Sequence, residues 1–174
     1  MGCVSNISGA ITYDCQYGAV GIQDMLLINF SDISSISITN GVATVTLTST
    51  GKTIRVASIR KGANASEALR ENENAPNALE QTVNFTVYKK TAQENIFTNN
   101  ILNSRVVVVA KMVEKNVYRI YGTNYGLEIS AVEESANDNG GFTTITLATP
   151  QGVYGEPRAS VTADTWNTLL GKAS

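Results

Sequence analysis

Asn40-Gly41 stands between two runs in which apolar and hydroxylic residues alternate. Ile33-Ser34-Ser35-Ile36-Ser37-Ile38 precedes it and Val42-Ala43-Thr44-Val45-Thr46-Leu47 follows. Period-two alternation is the mark of a strand with one buried face. An Asn-Gly pair supplies the positive φ that both central positions of a type I′ turn require, so the segment predicts a tight β-hairpin. Thr50-Gly51 then turns the chain into Lys52-Thr53-Ile54-Arg55-Val56-Ala57, and the spacing predicts a three-strand meander.

Composition agrees with a β-rich chain. Charged residues make up 16% of the sequence, where about 25% is usual. Thr, Ser, Asn and Gly take their place, residues suited to half-exposed strands and turns. A length of 174 residues with 43% hydrophobic residues suits one domain with a modest core. Residues 1–174 therefore read as a single β-rich domain, with 1–30 available as an N-terminal arm. The net charge of −2 leaves no basic surplus for gripping a phosphate backbone. The absence of His removes the usual acid–base group and the commonest metal ligand. Cys3 and Cys15 cannot build a structural zinc site alone. They can form one disulfide, but free thiols in a reducing cytosol is the reading favoured by the lack of a secretory signal. Residues 1–15 carry no Lys or Arg ahead of an apolar stretch. The longest apolar runs, Met25–Ile28 and Val106–Ala110, are too short to span a bilayer.

Residues 60–80 break the strand pattern. They are rich in Asn, Glu and Ala and include Pro76, and they read as a long loop or the tip of an extended hairpin, with room for a helical turn around Ser66–Glu71. Segments of this kind in compact domains usually have a task. Their mixed charges, Arg60, Lys61, Glu67, Arg70, Glu71, Glu73 and Glu80, are the candidate assembly residues. Strand pattern returns at Thr82–Tyr88, with Val83, Phe85 and Val87 on one face. Thr91-Ala92-Gln93-Glu94 is a capping box, and Ala92, Ile96, Phe97 and Ile101 form an apolar stripe, predicting the principal helix over about residues 91–103. Arg105–Val113 and Val117–Tyr121 predict a hairpin. Its first strand, Val106-Val107-Val108-Val109, does not alternate and should be buried on both faces. Gly126–Val132 and Phe142–Thr149 predict another hairpin, around Asn137–Gly141. Asp164 is placed to cap a short final helix carrying Trp166, Leu169 and Leu170, stopped by Gly171. The fold expected is mainly β, an antiparallel sandwich or barrel with one principal helix.

The short motifs favour structure over chemistry. Met1-Gly2-Cys3 resembles a dual-acylation start, but Asn6 stands where Ser or Thr is wanted and no polybasic segment follows. Asn6, Asn29, Asn64 and Asn84 begin glycosylation sequons that chance explains in a chain this rich in Asn, Ser and Thr. Asn137-Asp138-Asn139-Gly140-Gly141 hints at calcium, yet position twelve of an EF-hand loop would be Ala148 instead of Glu. Glu133, Glu134 and Asp138 read as solvated charge at a hairpin end. Gly18-Ala19-Val20-Gly21 lacks the Lys and the strand–helix setting of a phosphate loop. No nucleophile has a His partner, and Trp166 is the only Trp, too few for a sugar cleft. The expectation is a protein that is not an enzyme and takes no metal or cofactor.

The order of elements, a strand meander, a long loop returning into a strand, one helix and further hairpins, resembles the tail-tube family of tailed bacteriophages and its related ring proteins. The likeness runs from about Ile33 to Thr149. Tyr125-Gly126-Leu127-Glu128-Ile129 and Asn139-Gly140-Gly141-Phe142-Thr143-Thr144-Ile145-Thr146-Leu147 are similar to segments in virion proteins of phages of gut Bacteroidetes, including crAss-like phages. The resemblance implies a virion structural protein, made in the host cytoplasm, that forms a homo-oligomeric ring or tube in the tail or neck. Its implied partners are other tail or neck proteins and DNA in non-specific transit, with no membrane. Exposed strand edges need covering, and a closed ring covers them. The competing expectation is a monomeric β-sandwich module that binds carbohydrate or a cell surface.

Overall fold

A computed structural model describes residues 21–57, 62–71, 77–87, 92–137 and 140–173. The strands are β1 (Ile22–Asn29), β2 (Ile33–Thr39), β3 (Val42–Leu47), β4 (Thr53–Ala57), β5 (Ala63–Arg70) and β6 (Ala78–Val87). Helix α1 (Ala92–Ile101) follows, then β7 (Arg105–Met112), β8 (Tyr118–Tyr121), β9 (Leu127–Asn137), β10 (Gly140–Ala148), β11 (Ala159–Ser160) and helix α2 (Ala163–Leu170). The fold is mainly β and sandwich-like, and its sheet is open rather than closed into a barrel.

Strand order is β2-β3-β11-β8-β7-β9-β10-β6-β5, with β1 paired to β7 and β4 to β1. Among the named strands pairing is antiparallel except between β11 and β3, and an isolated parallel bridge joins Thr53 to Ala173. The centre is β1 beside β7. Val106 to Ala110 and Met25 to Ile28 are all buried, and alternate side chains enter opposite cores. Met25, Leu27, Val106, Val108 and Ala110 face a core closed by Val83, Phe85, Leu127, Ile145 and Leu147. Leu26, Ile28, Val107 and Val109 face a second core closed by Ala43, Ile120, Trp166 and Leu169. The unbroken valine run thus has the two-sided burial that its lack of alternation predicts.

The Asn40-Gly41 hairpin forms as expected, with φ of 51° and 76° at the two turn residues and β2 registered on β3 from Thr39↔Val42 outward. The meander does not. β4 leaves β3 and pairs with β1, from Ile28↔Thr53 to Asp24↔Ala57. The cause lies in β1. A strand buried on both faces must have its backbone groups paired on both edges, and β7 covers only one. The chain crosses over through Gly51, where a Cβ would lie 2.6 Å from the Asp32 carbonyl oxygen. Ile22–Asn29, within the stretch read as an N-terminal arm, is therefore a central strand. Cys3, Cys15, the acylation-like start and the Asn6 sequon lie outside the described residues, as do Asp138 and Asn139.

Ser66–Arg70 is strand, not a helical turn: all of β5 is registered on β6, from Ala63↔Phe85 to Arg70↔Ala78. The extended-hairpin reading of 60–80 holds over this length. Helix α1 buries Ile101 and half-buries Phe97, whose ring meets Phe85 edge-on at 6.4 Å. Ile96 is 54% exposed. Phe97 and Ile101 share one line along the helix by i,i+4 spacing, and Ile96 is rotated about 100° off it. Thr91 of the expected capping box lies outside the described residues. Helix α2 is capped by Thr162, whose hydroxyl oxygen accepts from the Thr165 N–H at 3.1 Å. Asp164 sits inside its first turn, where a carboxylate suits the helix dipole. Trp166 stacks at a tilt on Tyr118, with ring centroids 5.7 Å apart.

Candidate assembly surface

The β5–β6 hairpin brings three of the predicted charged residues together. Glu67 lies opposite Gln81, Ala68 opposite Glu80 and Arg70 opposite Ala78. Arg70 bonds the Glu80 carboxylate at 3.1 Å and donates to the Val153 carbonyl. Glu67 pairs with Arg158 and accepts from Gln81 Nε2 at 3.0 Å. Glu71 follows β5 and is exposed. Arg60, Lys61 and Glu73 lie outside the described residues. The charges of Glu67, Arg70 and Glu80 thus have partners inside the subunit, where they fasten the hairpin to the segment 153–158.

That segment is held by more than ion pairs. Glu156 is 2% exposed, and its carboxylate accepts from the Asn124 and Tyr125 N–H groups at 2.7 and 2.9 Å. Two backbone donors and the Thr123 hydroxyl at 3.3 Å satisfy a charge that would be costly to bury alone. The Glu156 N–H donates to the Leu79 carbonyl at 3.0 Å. Gly155 lies so close to β6 that a Cβ would sit 2.5 Å from both Ala78 Cβ and Leu79 N. Only glycine fits that approach.

Held in this way, the loop presents Tyr154, 70% exposed, beside Leu69, 59% exposed. They border an open groove with Leu79 and Pro157. Two large apolar side chains in water beside the paired β5 and β6 can bury area against another surface. The buried carboxylate of Glu156 is occupied by backbone donors. Among the described residues no three Cys, Asp or Glu side chains converge as a metal site needs. None of the described helices is long and apolar enough to cross a membrane.

Charge singles out the hairpin in the sequence, but not its apolar patch. Leu69 and Tyr154 are far apart in the chain and meet only through folding. One signal was present: Gly152-Val153-Tyr154-Gly155-Glu156-Pro157 is a turn-rich segment bearing a lone aromatic. The chain matches no known family model, no curated protein and no solved structure.

Proposed function

We propose that this protein is a structural component of a tailed-phage virion, forming a homo-oligomeric ring or tube of the tail or neck through which DNA passes. The observation that carries the reading is the exposed apolar patch of Leu69 and Tyr154 lying by β5, whose outer edge has no strand partner among the described residues. Assembly covers both features at once. The low charge and the net −2 fit a conduit that lets DNA slide without holding it. Residues 62–71 and 77–80 act here as an arm, whose in-subunit ion pairs favour one arrangement before association and so lower the ordering cost of binding.

The alternative, a monomeric carbohydrate- or surface-binding module, draws on the same exposed Tyr154. Sedimentation of the purified protein over a wide concentration range, followed by negative-stain imaging, separates the two. Rings or tubes are expected. A species that stays monomeric at every concentration overturns the proposal.

A further inference from the structure

We infer that subunits join by adding the outer edge of β5 in one copy to the outer edge of β2 in the next, antiparallel, so that the sheet continues from copy to copy. The inference rests on the self-assembly reading above and names its joint.

β2 and β5 are the two ends of the strand order, and among the described residues each pairs with one neighbour only. Natural sheets guard their edges with Pro, charge, bulges or covering segments. The remaining edge, β4, is guarded in this way. The Thr53 N–H donates to the Lys172 carbonyl at 3.2 Å, its hydroxyl donates to the Leu169 carbonyl at 2.9 Å, and Arg55 is tied to Asp24 at 2.6 Å. β5 and β2 contain neither Pro nor Lys. β5 is regular over its whole register, and the irregularity of β2 is confined to Ile33/Ser35. The one acid of β5, Glu67, is already paired with Arg158.

The hydrogen-bonding parity of the two edges also matches. The Thr86 N–H donates to the Gly62 carbonyl, so Asn64, Ser66, Ala68 and Arg70 take the bonded positions opposite β6. Ala65, Glu67 and Leu69 therefore turn their N–H and C=O groups to the open side. In β2 the two-residue turn makes Thr39↔Val42 a bonded pair, and Ser37↔Thr44 the next, which leaves Ile36 and Ile38 aimed outward. In an antiparallel joint, outward-aimed residues must face outward-aimed residues. Here that rule places Ala65, Glu67 and Leu69 on the same face as Ile36 and Ile38, with the Glu67 charge already met by Arg158. Asn64, Ser66 and Ala68 then share the other face with Ser35, Ser37 and Thr39. Leu69 and Ile38, both exposed in the single subunit, lose water together. Two different edges make a head-to-tail contact, the kind that closes rings or extends tubes.

Complementary edge-blocked variants test the joint. Leu69→Pro and Ile38→Pro each remove an outward N–H without breaking a bond inside the subunit. Leu69→Lys and Ile38→Lys serve as second versions should a proline disturb folding, which circular dichroism checks. Each blocked variant alone should sediment as a monomer. An equimolar mixture of a β5-blocked and a β2-blocked variant should give a dimer and nothing longer, since one good edge of each kind remains. A mixture that stays monomeric overturns the inference. So does an Ile38 variant that dimerises alone, which would mean β5 pairs with β5. If the unmodified protein assembles and both variants assemble equally well, the edge joint fails while the assembly reading stands. If the unmodified protein never assembles, both fail.

Discussion

Gln81, fully buried in β6, accepts the Gly122 N–H through its side-chain carbonyl at 2.9 Å. Its amide nitrogen donates to Glu67 at 3.0 Å and to the Pro157 carbonyl at 3.4 Å. One side chain thus ties β6 to the turn after β8, to β5 and to the loop that carries Tyr154. Glu67 passes the tie on to Arg158.

Replacing Gln81 with Met keeps nearly the same volume but leaves the buried Gly122 N–H without its acceptor. The expected cost is about 1–3 kcal/mol, the desolvation penalty of an unpaired buried group. Urea unfolding should show a lowered midpoint at unchanged slope. A midpoint equal to that of the parent would mean that water or a shifted loop replaces the amide.

On α1, two neighbouring apolar residues should behave differently. Phe97→Ala removes an edge-on contact with Phe85 and part of the core lining. It should cost about 1.5–3 kcal/mol, below the full cost of a buried Phe because the ring is half-exposed. Ile96→Ala should stay within about 0.5 kcal/mol, as at surface sites. Equal losses at both positions in the same unfolding assay would contradict the observed seating of the helix.

Local signals were legible and long-range choices were not. Asn40-Gly41 dictates its own turn, and a run of four valines announces two-sided burial, so both could be read from neighbours in sequence. Ala63–Arg70 has little intrinsic strand preference. It is a strand because β6 offers an edge along its full length. Sequence proximity favours β3 as the partner of β4, whereas the demand of a doubly buried β1 decides the outcome. Of the apolar stripe on α1, Phe97 and Ile101 pack on the core while Ala92 and Ile96 stay exposed. At the assembly surface, charge made Glu67, Arg70 and Glu80 conspicuous. Their partners Arg158 and Val153 lie 91 and 83 residues from the residues they bind, beyond any local pattern.

Gly155→Ala tests the fastening of the exposed loop. The added methyl would sit 2.5 Å from Leu79 N, a backbone atom with no rotamer to relieve the contact. Either β6 or the loop must move, and the Glu156–Leu79 hydrogen bond moves with it. Overpacking of this kind costs about 1–3 kcal/mol. Hydrogen exchange at the Glu156 amide should rise well above the parent rate, and an unchanged rate would show that the approach is looser than described.

Tyr121 gives an alkaline signature. It is 4% exposed, and burial, helped less by Glu67, pushes its phenol pKa above the usual value against the opposing pull of Arg119 and Arg158. A phenol with a raised folded pKa holds its proton more tightly in the folded state. Its contribution is complete below the unfolded value of about 10 and is lost as pH climbs through the raised folded value. Stability measured from pH 9 upward should fall less steeply in Tyr121→Phe than in the parent. Parallel curves would mean that Tyr121 ionises alike in both states.

Tyr154 separates association from folding. With 70% of its surface in water, its side chain contributes little to the subunit, so Tyr154→Ser should change unfolding by no more than about 0.5 kcal/mol. In an assembly the same ring is the largest exposed side chain of the patch it forms with Leu69, and exposed aromatics that become buried often dominate an interface. Losing one such anchor typically costs about 2 kcal/mol or more of binding, which is at least about 30-fold in each contact. Sedimentation velocity should therefore show the variant's association shifted to concentrations higher by that factor, while its circular dichroism and urea midpoint match the parent. Association at the parental concentration would place Tyr154 outside the joint and leave contact to the strand edges alone.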